Sequence, residues 1–224
     1  MSEEKQTAGH IHDLGMLDLR YAKSPEELSH IHSISDIGLI LIWEEAAAAL
    51  GHMSINDVGS VVVLPAGAKV NCMTGQTKLT GESLLNGDPE IILMLVGQTF
   101  ISGPIKGIGY KEIRSTGQLF LPRGSQDVLS GKLTQVTGQV FYIGDQVRIV
   151  MGNDEFDQEF LELLPVPTDV VVMGNLKFKD DVQKETLQAK ITEIVLMGQI
   201  KAPMRLVSLL NVLTKEKMGH IVGE

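Results

Sequence analysis

Five histidines, His10, His12, His30, His32 and His52, crowd the first part of this 224-residue chain. The first four form two His-x-His pairs, residues of the type that can share a metal ion. Ser24, Pro25 and Glu27 form a capping box with proline at the first helical position, so a helix is expected to carry His30 and His32. Residues two apart on a helix point to different faces. His10 and His12 fall in a polar terminal stretch expected to be mobile, so solvated histidines are expected and no metal is assigned. A second group, Asp154, Glu155, Asp157, Glu159 and Glu162, could hold a cation or supply a carboxylate pair for glycoside chemistry. It lacks the glycine and the regular oxygen spacing of an EF-hand and reads as a solvated acidic edge. Cys72 has no histidine near it in sequence and is expected to be a buried structural thiol. There is no phosphate loop, nucleophile elbow or zinc motif. No catalytic residue and no cofactor are therefore assigned, and the chain is expected not to be an enzyme.

Bulk composition narrows the partners. A net charge of −9 and a pI near 5.2 argue against nucleic acid or an anionic membrane surface. One cysteine permits no intrachain disulfide and suits a reducing compartment. The stretch 1–9 has no apolar signal core, and no apolar run reaches the length of a membrane-spanning helix. These features together predict a soluble, cytoplasmic protein.

The elements that would position any site are marked by glycine. Gly15, Gly38, Gly59, Gly75, Gly97, Gly117, Gly138, Gly152, Gly174, Gly198 and Gly219 are spaced by 23, 21, 16, 22, 20, 21, 14, 22, 24 and 21 residues. A period of about twenty residues means stacked structural repeats. The short intervals of 16 and 14 fall four repeats apart, which implies an internally duplicated block of four coils. Each glycine is expected to open a strand whose second and fourth residues, such as Ile40 and Ile42 or Leu176 and Phe178, face the core. Helices are expected from three stripes: Leu206, Leu209, Leu210 and Leu213; Leu187, Ile191, Ile194 and Val195; and Ala46, Ala49, Leu50 and Met53. The coils after Gly59 and Gly138 are too short for a helix.

The period and the strand–helix order resemble the leucine-rich repeats over most of the coils. That family's asparagine after the strand is missing here, where Trp43, Ala66, Arg123 and Met204 stand at comparable places. The resemblance implies an α/β solenoid of about eleven coils with a parallel sheet on one side, filling 14–224 as one repeat domain behind a polar segment at 1–13. A parallel β-helix, as in polymer-forming bacterial filament proteins, is the alternative.

Three columns run along the repeat. After the glycine stand Gln76, Gln98, Gln118, Gln139, Asn153, Asn175 and Gln199, expected to stack as an amide ladder on neighbouring strands. Before it, Met151, Met173, Met197 and Met218 are expected to fill the core. Three residues after it come Asp18, Leu41, Val62, Lys78, Phe100, Phe120, Phe141, Glu155, Lys177, Lys201 and Val222. Strand alternation turns this column away from the core. Leu41, Val62, Phe100, Phe120 and Phe141 are thus the candidate binding surface, with the lysines as a rim. The expected function is a scaffold or a protein-binding, self-assembling module. Only five residues follow Gly219, so an open last coil and the phenylalanine strip together predict a homodimer. The competing expectation is a carbohydrate-binding or carbohydrate-active solenoid using the acidic coil 153–162.

Overall fold

A computed structural model describes residues 9–224, so the first eight residues of the segment expected at 1–13 lie outside the described ones. The chain is mixed α/β with several parallel sheets, about 51% strand against 21% helix. It divides into two compact units: residues up to Leu119 with Gln126–Val140, and Phe120–Ser125 with Phe141–Glu224.

The first unit begins with β1 (His10–Asp18), β2 (Ser33–Trp43), β3 (Ser54–Val58) and β4 (Val61–Leu64). β1 pairs parallel with β2, and β2 pairs in turn with β3 and then β4, the two strands flanking Gly59. A second sheet has the order β5 (Lys69–Thr80), β6 (Ile91–Ser102), β7 (Glu112–Pro122) and β8 (Leu133–Ile143), the last two running on into the second unit. Strand β2 is buried on both faces. Ile34, Ile37, Ile40 and Ile42 join Leu28, Ala46 and Ala49 in one core. Leu39 and Leu41 join Val62, Leu64, Ile92 and Met94 in another, which packs the two sheets together. Arg114 of β7 donates through Nη1 to the Val63 carbonyl at 2.8 Å, satisfying one acceptor on the edge strand β4.

In the second unit two sheets alternate along the chain. One contains β9 (Val147–Val150), β11 (Thr168–Val172), β13 (Ile191–Leu196) and β15 (Thr214–Lys217). The other contains β10 (Asn153–Phe156), β12 (Asn175–Phe178), β14 (Gln199–Ala202) and β16 (His220–Gly223). All pairs in both sheets are parallel. Short helices at Gln158–Leu163, Lys184–Lys190 and Met204–Leu213 follow β10, β12 and β14. Phe156, Phe178, Val170, Ile194, Leu187 and Leu206 fill the space between sheets and helices.

The glycines explain the stacking. A Cβ at Gly38 would fall on the carbonyl of Gly15, at Gly97 on that of Gly75 and at Gly174 on that of Gly152, each well under the 3.0 Å that real Cβ atoms keep. The same holds along each series, but Gly15, Gly75 and Gly152 themselves meet nothing within 4 Å. The contacts therefore fall into three runs: Gly15–Gly38–Gly59, Gly75–Gly97–Gly117–Gly138 and Gly152–Gly174–Gly198–Gly219. The intervals of 16 and 14 residues are the places where one run stops and the next starts. As expected, no helix follows Gly59 or Gly138 before the next strand.

Several local expectations are corrected. Glycines 15, 38, 75, 97, 117 and 138 lie inside long strands instead of opening them, and the others separate two strands. The stretch Ile191–Val195 is strand: the register between β11 and β13 slips, putting Ile191 and Ile194 on one side and imitating a helical stripe. Glu44–His52 is a 3₁₀ segment, in which Ala46 and Ala49 eclipse on the buried side. The expected capped helix is one 3₁₀ turn, Pro25–Leu28, with no side-chain cap, and His30 and His32 lie beyond it. Val61 and Val63, expected in the core, are 37% and 41% exposed because the coil after Gly59 brings no helix to cover them.

Candidate binding face

The five residues expected to form an apolar outer surface are all buried: Leu41 0%, Val62 1%, Phe100 5%, Phe120 0% and Phe141 5% exposed. They do lie on the strand face opposite the alternating core residues. For Leu41 and Val62 the covering residues are Ile92 and Met94 of β6. Phe120 stacks on Phe141 with centroids 5.0 Å apart. The strip is covered by the fold itself, so it is not the exposed binding surface expected from strand alternation.

In the last run the same column changes character. Its members Glu155, Lys177, Lys201 and Val222 are in register on β10, β12, β14 and β16, and all four are exposed. The opposite sheet of this unit is different. Its outer side carries Asp169, Val171 and Val195, all buried, and Arg123 reaches Asp169 at 3.4 Å and Glu193 at 2.9 Å. Asp169 also accepts the Gly144 N–H at 2.6 Å, which fixes the turn before β9.

The seven amides form two ladders. Gln76 donates to Gln98 at 3.0 Å, and Gln98 to Gln118 at 2.9 Å. Gln118 and Gln139 stand on the neighbouring strands β7 and β8. Asn175 donates to Asn153 at 2.8 Å, and Gln199 follows in register on β14. An amide has two N–H donors and two acceptor lone pairs, and one ladder bond on each side uses one of each. Asn153 and Asn175, both exposed, thus keep donor and acceptor capacity beyond their ladder bond.

Beside the second ladder lies a shallow groove of ≈ 400 Å³ lined by Asn153, Asp154, Glu155, Asn175, Leu176, Lys177, Gln199 and Lys201. Its charges are organised. The Glu224 side chain bridges Lys177 at 3.1 Å and Lys201 at 3.9 Å, two ammonium groups from adjacent strands. That hydrogen bond is the main cause raising the Lys177 pKa above its ordinary value. Next to them Lys179 pairs with Asp157 at 3.1 Å and with Glu155 at 3.7 Å, while Arg148 pairs with Asp154 at 3.0 Å. Asp157 also caps a helix by accepting the Phe160 N–H at 2.9 Å. That bond first, then Lys179, holds its carboxyl below the usual range. In the acidic coil expected at 153–162, Asp154, Glu155 and Asp157 are thus taken up in ion pairs and a cap, and Glu162 accepts from Gln158 Nε2 at 2.7 Å. No aromatic ring lines the groove.

Of the other chemistry-bearing residues, His10 and His32 come together, their rings edge to face with centroids 6.4 Å apart. Among the described residues no three His, Cys, Asp or Glu side chains come together as a metal site. His10, in strand β1 and not in a mobile segment, bonds Ser33 Oγ at 2.5 Å, and His12 bonds Asp13 at 2.7 Å. Cys72 is half-buried, its thiol pushed up first by burial. The methionine column is no core ladder: Met151 and Met218 are 40% and 42% exposed, and Met173 and Met197 are intermediate, because they sit at the bend between two strands. No described helix is long and apolar enough to cross a membrane.

One series escaped notice. Asp13, Asp36 and Asp57, each two residues before a glycine of the first run, have φ of 58°, 55° and 50°. Aspartate tolerates this left-handed backbone better than most residues. The recurrent Asp-x-Gly at 13–15, 36–38 and 57–59 is the signal that could have shown it.

Compared with models of known families, with curated proteins and with solved structures, the chain matches none.

Proposed function

We propose that the chain is a non-enzymatic, cytoplasmic binding module of solenoid type, whose eleven glycine-marked coils stack in three short runs and whose working surface is the outer face of β10-β12-β14-β16. The observation that carries this is the change in one strand column. In the first two runs the apolar members Leu41, Val62, Phe100, Phe120 and Phe141 are buried, and in the third run Glu155, Lys177 and Lys201 are exposed beside a ladder of amides. Such a face offers ordered donors, acceptors and charges at strand spacing without the cost of unfolding anything. The partner expected from the sequence, a protein or a second copy in a homodimer, would meet this polar face in place of the phenylalanine strip. The carbohydrate reading gains one specific support, since Asp154 and Glu155 of the acidic coil line the same groove as the amides.

The test is a side-by-side screen of peptide and glycan arrays with the wild-type chain and an Asn175→Arg/Lys177→Glu variant. Both positions are exposed, so the variant should fold. At least one ligand should be lost by the variant, and none should be turned over. Identical array profiles for the two proteins would remove the assignment of this face.

A further inference from the structure

Resting on that binding-face reading, we infer that the groove along β12 and β14 is a site for an acidic oligosaccharide, a chain of sugars carrying carboxylates, whose acid group takes the place of the Glu224 side chain between Lys177 and Lys201.

Three observations lead there. The first is that the site already holds a carboxylate. Lys177 and Lys201 stand on adjacent strands and converge on the one Glu224 side chain at 3.1 and 3.9 Å. All three side chains are only about half-covered, at 46%, 47% and 43% exposure. The pair is therefore solvent-reachable and exchangeable, and an exposed ion pair of this kind is weakly held. The second observation is the neighbouring row, Asn153, Asn175 and Gln199. Each amide there keeps donor and acceptor capacity after the ladder is made. A sugar hydroxyl both donates and accepts, so it can use both.

The third observation is the repeat distance. Parallel strands lie about 4.8 Å apart, whereas an extended peptide advances about 3.3 Å per residue and presents same-side groups every second residue. A peptide laid across the strands drifts out of step with the ladder at once. A pyranose ring is about as long as the strand spacing, so successive sugars keep step with successive strands. The groove also has no aromatic platform for stacking neutral sugar faces. Recognition must then come from charge and hydrogen bonds: Asp154 and Glu155 in the same groove are paired with Arg148 and Lys179, which leaves Lys177 and Lys201 for an acid group once Glu224 gives way.

Oligogalacturonate, its neutral methyl ester and an oligoglutamate of equal charge are titrated calorimetrically into the full chain. Wild type should bind oligogalacturonate, more weakly as salt is raised, and bind the ester and the peptide at least about tenfold less tightly, the equivalent of one charged hydrogen bond. Lys177→Met/Lys201→Met should lose about tenfold or more in affinity. Glu224→Gln should gain, because the internal competitor has lost its charge. Absence of oligogalacturonate binding, equal binding by the lysine variant, or tighter binding of oligoglutamate would each overturn the inference. If oligogalacturonate fails while the Asn175→Arg/Lys177→Glu variant still loses another array ligand, the sugar assignment falls and the binding face stands. If that variant loses nothing, both fall.

Discussion

Gly198→Ala and Gly152→Ala are the same substitution in the same run of glycines and should differ sharply in cost. A Cβ at Gly198 would collide with the Gly174 carbonyl and approach the Met173 carbonyl carbon at 2.8 Å, and both are backbone atoms that cannot rotate away. Relief requires parting the strands around the Gln199 N–H to Gly174 O bond of 2.9 Å, and it disturbs the His220 N–H to Gly198 O bond of 3.1 Å. One or two weakened ladder bonds at about 1 kcal/mol each, with an overpacking cost of about 1–3 kcal/mol, give about 2–5 kcal/mol. Gly152 starts its run, meets nothing within 4 Å and is not in the left-handed region. Alanine there should lie within about 1 kcal/mol of wild type, on the stabilising side, through reduced freedom of the unfolded chain. Gly75 separates the two causes. It has open space but φ of +83°, so Gly75→Ala should cost only the backbone term of about 1–2 kcal/mol. Urea unfolding followed by far-UV circular dichroism reads the three midpoints. With a slope of about 2 kcal/mol per molar, Gly198→Ala should fall roughly 1 M or more below Gly152→Ala. Equal losses at 152 and 198 would refute the close-approach account.

Phe120→Asp, which would have released a folded monomer had the phenylalanines formed an interface, should instead abolish folding, since Phe120 is fully buried and an unpaired buried charge costs several kcal/mol; a soluble, folded variant in a thermal melt would contradict this. Asp36→Gly should be neutral or stabilising and Asp36→Val should cost about 1–2 kcal/mol, because φ of 55° suits glycine and crowds a β-branched residue; the reverse order in denaturant midpoints would sink the backbone explanation. Asp157 has a folded-state pKa lowered below 3.8 by the Phe160 N–H and Lys179, so its stabilising contribution is complete above that value and is lost as pH falls through the lowered one. Asp157→Asn should accordingly flatten part of the acid dependence below pH 3.8, and unchanged acid unfolding curves would show that the carboxylate has no such role.

The repeat was legible because it is written in a residue type that only one geometry explains. Glycine recurs wherever one bend stacks on the previous one, and the intervals of 16 and 14 recorded where stacking stops. What was missed is that a short interval means a new run rather than a thin coil in a continuous one. The neighbouring columns change at the same two places. The first run has Asp-x-Gly corners; the second has glycine followed by glutamine, with φ between +83° and +127° at Gly75, Gly97, Gly117 and Gly138; the third has methionine before glycine. Each run solves its bend with a different residue, and spacing alone does not reveal which neighbour carries the strain. Helix and strand were confused at Ile191–Val195 because a bulge and a helical turn both return a side chain to the same face after three residues.

The candidate site was half legible for a related reason. Strand alternation correctly separates two faces, but it cannot tell solvent from another part of the same chain. Leu41 and Val62 point away from the core of their own run, yet Ile92 and Met94 of a later strand close over them. Composition along the column carries the missing information: an apolar column demands a cover, and a column that turns to Glu155, Lys177 and Lys201 can face water without one. Lys177 and Lys201, read as a rim around the phenylalanines, thus line an exposed groove of their own. The Glu224 carboxylate that joins Lys177 to Lys201 lies far from both in sequence, so this ion-pair cluster forms only when β12, β14 and β16 stack in register.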